Sequence, residues 1–285
     1  PHFHKAIKND VEIQHFRKVM AKDGVAMVRF LKWLEDNIEN AEISELSASE
    51  KLTAFRAALP NYYGNSFDPI SGYKGNGAII HYRVTEETDE KMSADGVYLI
   101  DSGGQYLDGT TDITRTVTLG NVNEEEKRAY TAVLKAHIAV AVSNFPIGTT
   151  GSDLHAICKN NLWNEGLDYG HGTGHGVGFF LNVHEGPQRI GAGNGSQVPF
   201  EVGMVTSNEP GNYKQGAYGI RIENLILCVE DIETDYGIFY KHETLTLFPI
   251  DLNLIAVELL TEKERVWLNA YHKRVFQELS PLLEM

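Results

Sequence analysis

The sequence predicts an α+β fold assembled from two similar halves. In several long segments the apolar residues recur at helical spacing, while shorter ones read as strands. Glycine-rich turns separate the strands into pairs. One unit occurs twice, at residues 96–119 and 203–229: a Gly, an apolar strand, an acid, a Gly turn and a returning strand with a second acid. Helices precede each copy, so each half is expected to contribute two carboxylates to a shared centre.

From Asp10 to Asn37 the residues Val11, Phe16, Val19, Met20, Ala26, Val28, Leu31, Leu34 and Ile38 mark one helix. Ser44 to Leu59 reads as a second, capped by Ser44 or Ser47 and closed by Pro60. The Gly-, Asn- and Tyr-rich stretch Asn61–Gly77 reads as a long loop, and such loops tend to be functional. Ala78 to Val84 is expected to be a short strand. Gly96–Asp101 and Asp112–Leu119 form a hairpin around 102–111. Helices follow over Glu124–Phe145, ended by Pro146, and over about Ser152–Glu165, with Ser152 or Asp153 as cap. Gly203–Ser207 and Gly219–Val229 form the next strand pair, and Tyr240–Pro249 a further strand. Thr261–Leu283 is a closing amphipathic helix.

With 285 residues, 42% of them apolar, the chain has enough material for a substantial core. A net charge of −14 and the lack of a Lys/Arg run exclude nucleic acid as the expected partner. No apolar run is long enough to span a bilayer. The start, Pro1-His2-Phe3-His4-Lys5, lacks both the apolar core of a signal peptide and an initiator Met, as expected of a fragment or a processed chain. Cys158 and Cys228 are far apart and fit neither a disulfide framework nor a zinc knuckle; they read as small buried hydrophobes in a reducing compartment.

The chemistry concentrates in the repeated unit. Strand parity puts Val97, Leu99 and Asp101 on one face, Asp112, Thr114 and Thr116 on one face of the returning strand, and Arg221, Glu223 and Leu225 on one face of the later strand. With Glu209, this brings four carboxylates together, an arrangement that destabilises a sheet unless cations neutralise it. Two divalent ions would cancel the four charges, and Arg221 would offset a hydroxide between them. Four carboxylates and an imidazole are a hard donor set, which favours Mn²⁺, with Co²⁺, Fe²⁺ or Zn²⁺ as alternatives. His171 and His175 are four apart, but no Glu follows His171 and the glycines between 172 and 178 oppose a helix, so a zincin site is rejected. The same glycines follow no apolar strand, which argues against a dinucleotide loop, and no Ser sits in a Gly-x-Ser-x-Gly elbow.

These residues resemble the pita-bread metallopeptidases, and among them the Xaa-Pro aminopeptidases (aminopeptidase P) of the cytosolic type. The matching segments are 76–82, Asp101–Tyr106, Gly109–Thr116, His171–Gly178, Leu181–Pro187, Ser207–Gly211, Gly219–Asn224 and Trp267–His272. The resemblance covers nearly the whole chain. It implies one catalytic domain over 1–285, with halves of roughly 10–145 and 146–250, a curved antiparallel sheet covered by helices, and a closing helix at 261–283; the family's N-terminal domains are absent from this sequence.

It also implies roles. Asp101 would chelate one metal ion, Asp112 and Glu223 would bridge both, and His175 and Glu209 would complete the second. The bridging water would become a hydroxide, with Glu209 as general base. His81 and His184 would hold the scissile amide and move a proton to the leaving nitrogen, His171 would line the pocket, and Arg221 would support Glu223. The expected substrates are peptides with proline second, and the expected setting is a cytoplasmic homodimer. Prolidase, methionine aminopeptidase and a metal-free peptide-binding module are the alternatives.

Overall fold

Capping chemistry fixes where the first long helices begin. The computed structural model describes residues 2–180 and 182–283; Leu181, within the Leu181–Pro187 motif, lies outside them. After the short helix α1 (His2–Ala6), Asn9 accepts from the Val11 and Glu12 amides while Glu12 reaches back to the Asn9 N–H, opening α2 (Asp10–Asn37). Ser44 and Ser47 do the same for α3 (Glu45–Ala57).

The stretch expected to be a loop instead carries β1 (Tyr62–Asn65) and β2 (Ile70–Tyr73). Both strands are made by pairing with partners later in the chain, which local composition does not reveal. The expected strand at Ala78–Val84 is absent: a 3₁₀ turn over Lys74–Ala78 runs into irregular chain. Backbone crowding explains this. A Cβ at Gly219 would lie 1.7 Å from the Gly77 carbonyl oxygen, so the segment packs edge-on against a later strand as bare backbone.

The repeated unit is structurally real and more elaborate than the sequence implied. β3 (Val97–Ser102) pairs antiparallel with β6 (Ile113–Thr118), and the connection holds its own small pair, β4 (Gly104–Tyr106) and β5 (Gly109–Thr110). Then come α4 (Glu124–Ala141), the two-residue β7 (Phe145–Pro146), and α5 (Gly151–Trp163). Thr150 caps α5, its N–H donating to Asp153 at 2.8 Å; the cap is not Ser152 or Asp153. After the short pair β8 (Gly174–His175) and β9 (Arg189–Ile190), β10 (Val205–Asn208) pairs antiparallel with β13 (Asn224–Thr234). Their connection again holds a small pair, β11 (Gly211–Lys214) and β12 (Tyr218–Arg221). The expected single strand Gly219–Val229 is therefore two strands, broken at Ile222–Glu223. β14 (Gly237–Thr244) continues the second sheet, and α6 (Glu262–Leu283) closes the chain.

Helices cover the outer faces. Tyr98 and Ile100 of β3 pack with Phe30 and Leu34 of α2 and Leu52 of α3. Ile226 and Cys228 of β13 join Val133 and Leu134 of α4 and Leu154 and Cys158 of α5. Each such side chain, wholly removed from water, contributes about 1.5–3 kcal/mol. The sheets meet where the Glu223 N–H donates to the Thr114 carbonyl at 3.0 Å. Buried Arg115 fastens this seam, donating to the Glu223 carbonyl (2.6 Å), Asn224 Oδ1 (2.8 Å), the Phe248 carbonyl (2.8 Å) and the Tyr271 hydroxyl (3.0 Å). Among the described residues no helix is long and apolar enough to cross a membrane.

His242 on β14 is buried against the Phe145 and Phe200 rings; its Nδ1–H donates to the Val140 carbonyl and Nε2 has no partner. Burial pushes its pKa from 6.5 down to about 4. The folded state therefore refuses a proton that the unfolded chain accepts, so stability present above pH 6.5 is lost as pH falls towards 4. In urea titrations across this window, His242→Phe is expected to lose less stability than the parent, by roughly 2–3 kcal/mol at the acid end.

Candidate metal centre

The two strand pairs deliver their acids to one place. Asp101 lies near the end of β3 and Asp112 immediately precedes β6; Glu209 immediately follows β10 and Glu223 immediately precedes β13. The Gly-rich histidine segment runs along β10 rather than coiling. At Gly174 a Cβ would meet the Ser207 carbonyl oxygen at 1.8 Å, so only glycine lets the two backbones close up. That contact places His175, whose backbone N–H donates to Ser207 Oγ at 3.0 Å.

A cavity of about 470 Å³ is lined by Asp101, Asp112, His175, Glu209 and Glu223, and also by His81, His171, His184 and Arg221. All the site residues expected from the sequence thus face one space. Phe67, Ile70 and Ile80 supply an apolar wall.

Asp112, His175 and Glu223 each present a ligand atom within 4.8 Å of the others. His175 Nε2 lies 3.3 Å from Asp112 Oδ2 and 3.4 Å from Glu209 Oε1. The ring's Nδ1–H donates to the Gly176 carbonyl at 3.0 Å, leaving Nε2 free to act as a ligand. Asp101 stands apart from this tight group: Oδ2 accepts from Arg221 Nη2 at 2.7 Å, while Oδ1 is buried without a partner.

Arg221 does not bond Glu223, contrary to the expected support. Its Nη2 goes to Asp101, its Nε to Thr114 Oγ1 at 3.2 Å and its Nη1 to the Tyr213 hydroxyl at 2.8 Å. The Thr114 hydroxyl then donates to Glu223 Oε2 at 2.7 Å, so Arg221 reaches Glu223 only through Thr114. The Tyr213 hydroxyl, accepting from Arg221, is left to donate to His171 Nε2 at 2.8 Å, whose Nδ1–H bonds the Gly172 carbonyl. Burial pushes the His171 pKa down to about 4, which keeps that ring neutral. The rings of His184 and His175 meet edge-on with centroids 4.2 Å apart, while His81 sits exposed on its loop.

Tyr213, Thr114 and Ser207, which donates to Glu209 Oε1 at 2.9 Å, hold the acids in place but carried no role in the sequence reading. For Thr114 a signal existed, since it shares strand parity with Asp112. Tyr213 had none beyond lying between the two acids of the second half.

Burial, and then the neighbouring carboxylates, push the Asp112 and Glu223 pKa values well above the carboxylate range. Burial also raises Glu209, with His175 opposing it. Burial works against the charge of Arg221, but Tyr213, Asp101 and Glu209 outweigh it and hold the guanidinium protonated. Four acid side chains against the Arg221 guanidinium leave an anionic excess, and the orphaned Asp101 oxygen lacks a donor. Both features fit hard divalent cations with oxygen and imidazole ligands.

For the metal-free protein the sign of the effect follows. Folded-state pKa values above the unfolded ones mean that the acids' stabilising contribution is present only below the ordinary carboxylate range and is lost as pH rises through the raised values. With chelator at pH 7.5, Asp112→Asn is expected to be more stable than the parent by about 1–3 kcal/mol. Mn²⁺ is expected to raise the melting temperature of the parent only; calorimetry with and without the ion checks both.

Known proteins resemble this chain along most of its length. The model of metallopeptidase family M24 matches residues 14–230, and that of the C-terminal region of peptidase M24 matches 238–285. The Laccaria bicolor protein named Probable Xaa-Pro aminopeptidase P is 48% identical over 98% of this chain and 44% of its own length. Aminopeptidase P2 of Arabidopsis thaliana is 46% identical over 98% of this chain and 40% of its length. This chain therefore spans less than half the length of these relatives. Among solved structures, X-prolyl aminopeptidase from Caenorhabditis elegans, described as a cytosolic enzyme with a di-nuclear active site, superposes with a TM-score of 0.94 at 40% identity, covering 99% of this chain and 46% of that one. A prolidase from Thermococcus sibiricus follows with a TM-score of 0.75 at 28% identity, covering 88% of this chain and 63% of that one. The α+β pita-bread fold expected from the sequence is the fold of these neighbours. On matches that together take in nearly all of its length, the chain belongs to metallopeptidase family M24.

Proposed function

We propose that this chain is the catalytic part of an Xaa-Pro aminopeptidase, which removes the first residue of a peptide whose second residue is proline. The observation that carries the reading is the convergence of Asp101, Asp112, His175, Glu209 and Glu223 with three further histidines on one cavity. Those five residues would hold two divalent ions, Mn²⁺ by preference for a hard donor set, with Co²⁺, Fe²⁺ and Zn²⁺ as alternatives. Such ions would polarise the scissile carbonyl and make water a better nucleophile.

The chain's own residues do the rest. Glu209, raised in pKa and oriented by the Ser207 hydroxyl, takes the proton of the attacking water. His184 holds the scissile amide, and His81, on the facing loop, delivers a proton to the leaving nitrogen. His171, kept neutral, lines the wall, and Tyr213, bonded to it, braces Arg221, which offsets the negative charge. The wall of Phe67, Ile70 and Ile80 suits the apolar ring of proline and excludes water from it.

The repeated strand pairs support a division into halves of about 10–145 and 146–250 with a closing helix at 261–283. A cytoplasmic setting is supported by the description of the Caenorhabditis elegans neighbour and by the buried, unpaired Cys158 and Cys228. The homodimer implied by the resemblance is part of the proposal, and sedimentation equilibrium tests it. Prolidase is the second reading, favoured by the shared fold of the Thermococcus sibiricus enzyme but weighed down by its lower identity. The full donor set speaks against a metal-free binding module.

With Mn²⁺, an X-Pro-Y tripeptide is expected to release its first residue, and an X-Pro dipeptide to be cut at least about tenfold more slowly. Mass spectrometry of the products decides, and preference for the dipeptide overturns the aminopeptidase reading. Glu209→Gln is expected to lower kcat by about 10²–10⁴-fold. His81→Ala is expected to spare metal content and reduce turnover, whereas Asp112→Ala or Glu223→Ala loses both ions by elemental analysis.

A further inference from the structure

The loop that carries His81 has almost no regular structure to hold it. After the 3₁₀ turn Lys74–Ala78 it runs without helix or strand to a lone bridge at Lys91. His81 is exposed and makes no side-chain hydrogen bond among those found for the described residues. A proton donor placed this way needs its neighbours to be fixed.

The anchor they share is one buried carboxylate, beside the Leu46 N–H to Asp89 Oδ1 bond (2.8 Å), the Glu45 N–H to Glu90 carbonyl bond (3.1 Å) and the Tyr82 hydroxyl to Thr88 carbonyl bond (3.0 Å). Glu45, in the first turn of α3, is completely buried. Oε1 accepts from the Tyr73 N–H at 2.6 Å and Asn76 Nδ2 at 3.1 Å. Oε2 accepts from the Tyr82 hydroxyl at 2.8 Å, Asn76 Nδ2 at 3.2 Å and the Glu90 N–H at 3.3 Å. No cation pairs with Glu45 among the described residues, so these donors and the positive end of α3 are what sustain the buried acid. The donors come from both flanks of His81. Asn76 leads to Ile79 through the Ile79 N–H to Asn76 carbonyl bond (3.1 Å), and the Tyr82 N–H bonds the Ile79 carbonyl (3.0 Å). Tyr82 is buried next to an exposed His81, so the chain on either side of the histidine ends on Glu45.

We infer that Glu45 is a positioning residue: its buried carboxylate pins Asn76, Tyr82 and Glu90 and thereby aims His81 into the cavity. The inference rests on the catalytic reading of His81 given above. A Gln at this position offers an N–H₂ to donors that need an acceptor, so Glu45→Gln releases the loop without changing the size of the side chain.

The test compares the parent, Glu45→Gln, His81→Ala and the double variant, all loaded with Mn²⁺ and given one X-Pro-Y peptide. Amide exchange of residues 74–92 is followed by mass spectrometry in parallel. Glu45→Gln is expected to speed exchange in that segment, but not in β10 and β13, by about tenfold or more. It is also expected to lower kcat about tenfold with KM within about twofold, and to add nothing to the loss from His81→Ala. Unchanged exchange in 74–92, or losses that multiply in the double variant, overturns the inference while leaving the role of His81 intact. Full turnover in His81→Ala overturns the reading of His81 itself and, with it, the positioning role. Tyr82→Phe removes only one hydroxyl and covers the case in which Glu45→Gln does not fold. It is expected to shift exchange and kcat the same way by less, and parental values in both overturn the inference.

Discussion

The structure depends on one constraint: negative charge is buried at the seam between two sheets. Asp101 and Asp112 come from one strand pair, Glu209 and Glu223 from the other, and the buried guanidinium of Arg221 reaches in among their side chains. Burying like charges in a poorly polarisable interior is among the most unfavourable arrangements a fold can adopt. The surrounding architecture is therefore devoted to holding the acids where folding alone would not leave them. Thr114 and Ser207 satisfy one oxygen each of Glu223 and Glu209, and Arg115 ties down the Glu223 backbone. This is the strain expected of a functional site, where stability is given up locally and recovered in the apolar layers outside.

Those layers make the arrangement tolerable. The hydrophobic clusters lie between sheets and helices, on the faces away from the acids. The inner faces are then free to be polar. Antiparallel pairing also places the acids at strand ends, where the ladder stops and side chains converge. The small strand pairs inserted in both connections, β4–β5 and β11–β12, carry the chain between the two acids of each half.

Much of this was legible from local pattern. Helical spacing located α2 and α6, Ser44 located the start of α3, and strand parity put Asp112 on the same face as Thr114. The glycines of 172–178 correctly excluded a helical zincin site, since that segment lies along β10. What local pattern missed was made by distant parts of the chain. β1 and β2 exist because β4 and β3 pair with them, and nothing in Tyr62–Asn65 announces that. Ala78–Val84 has the composition of a strand but has no free ladder to join. The choice of Asp101 by Arg221, in place of Glu223, is set by a fork with three acceptors around it, and depends on distances that sequence spacing does not encode.

The meeting of Gly77 and Gly219 has a consequence for how the cavity keeps its width. One glycine begins the loop towards His81, and the other sits two residues before Arg221, so their main chains touch where that loop meets the strand leading to Arg221, and both His81 and Arg221 line the cavity. A single methyl at 219 would land 1.7 Å from an oxygen and act as a wedge, prising the loop from the strand. The absence of two side chains thus serves as a gauge, setting the gap that a peptide must fill.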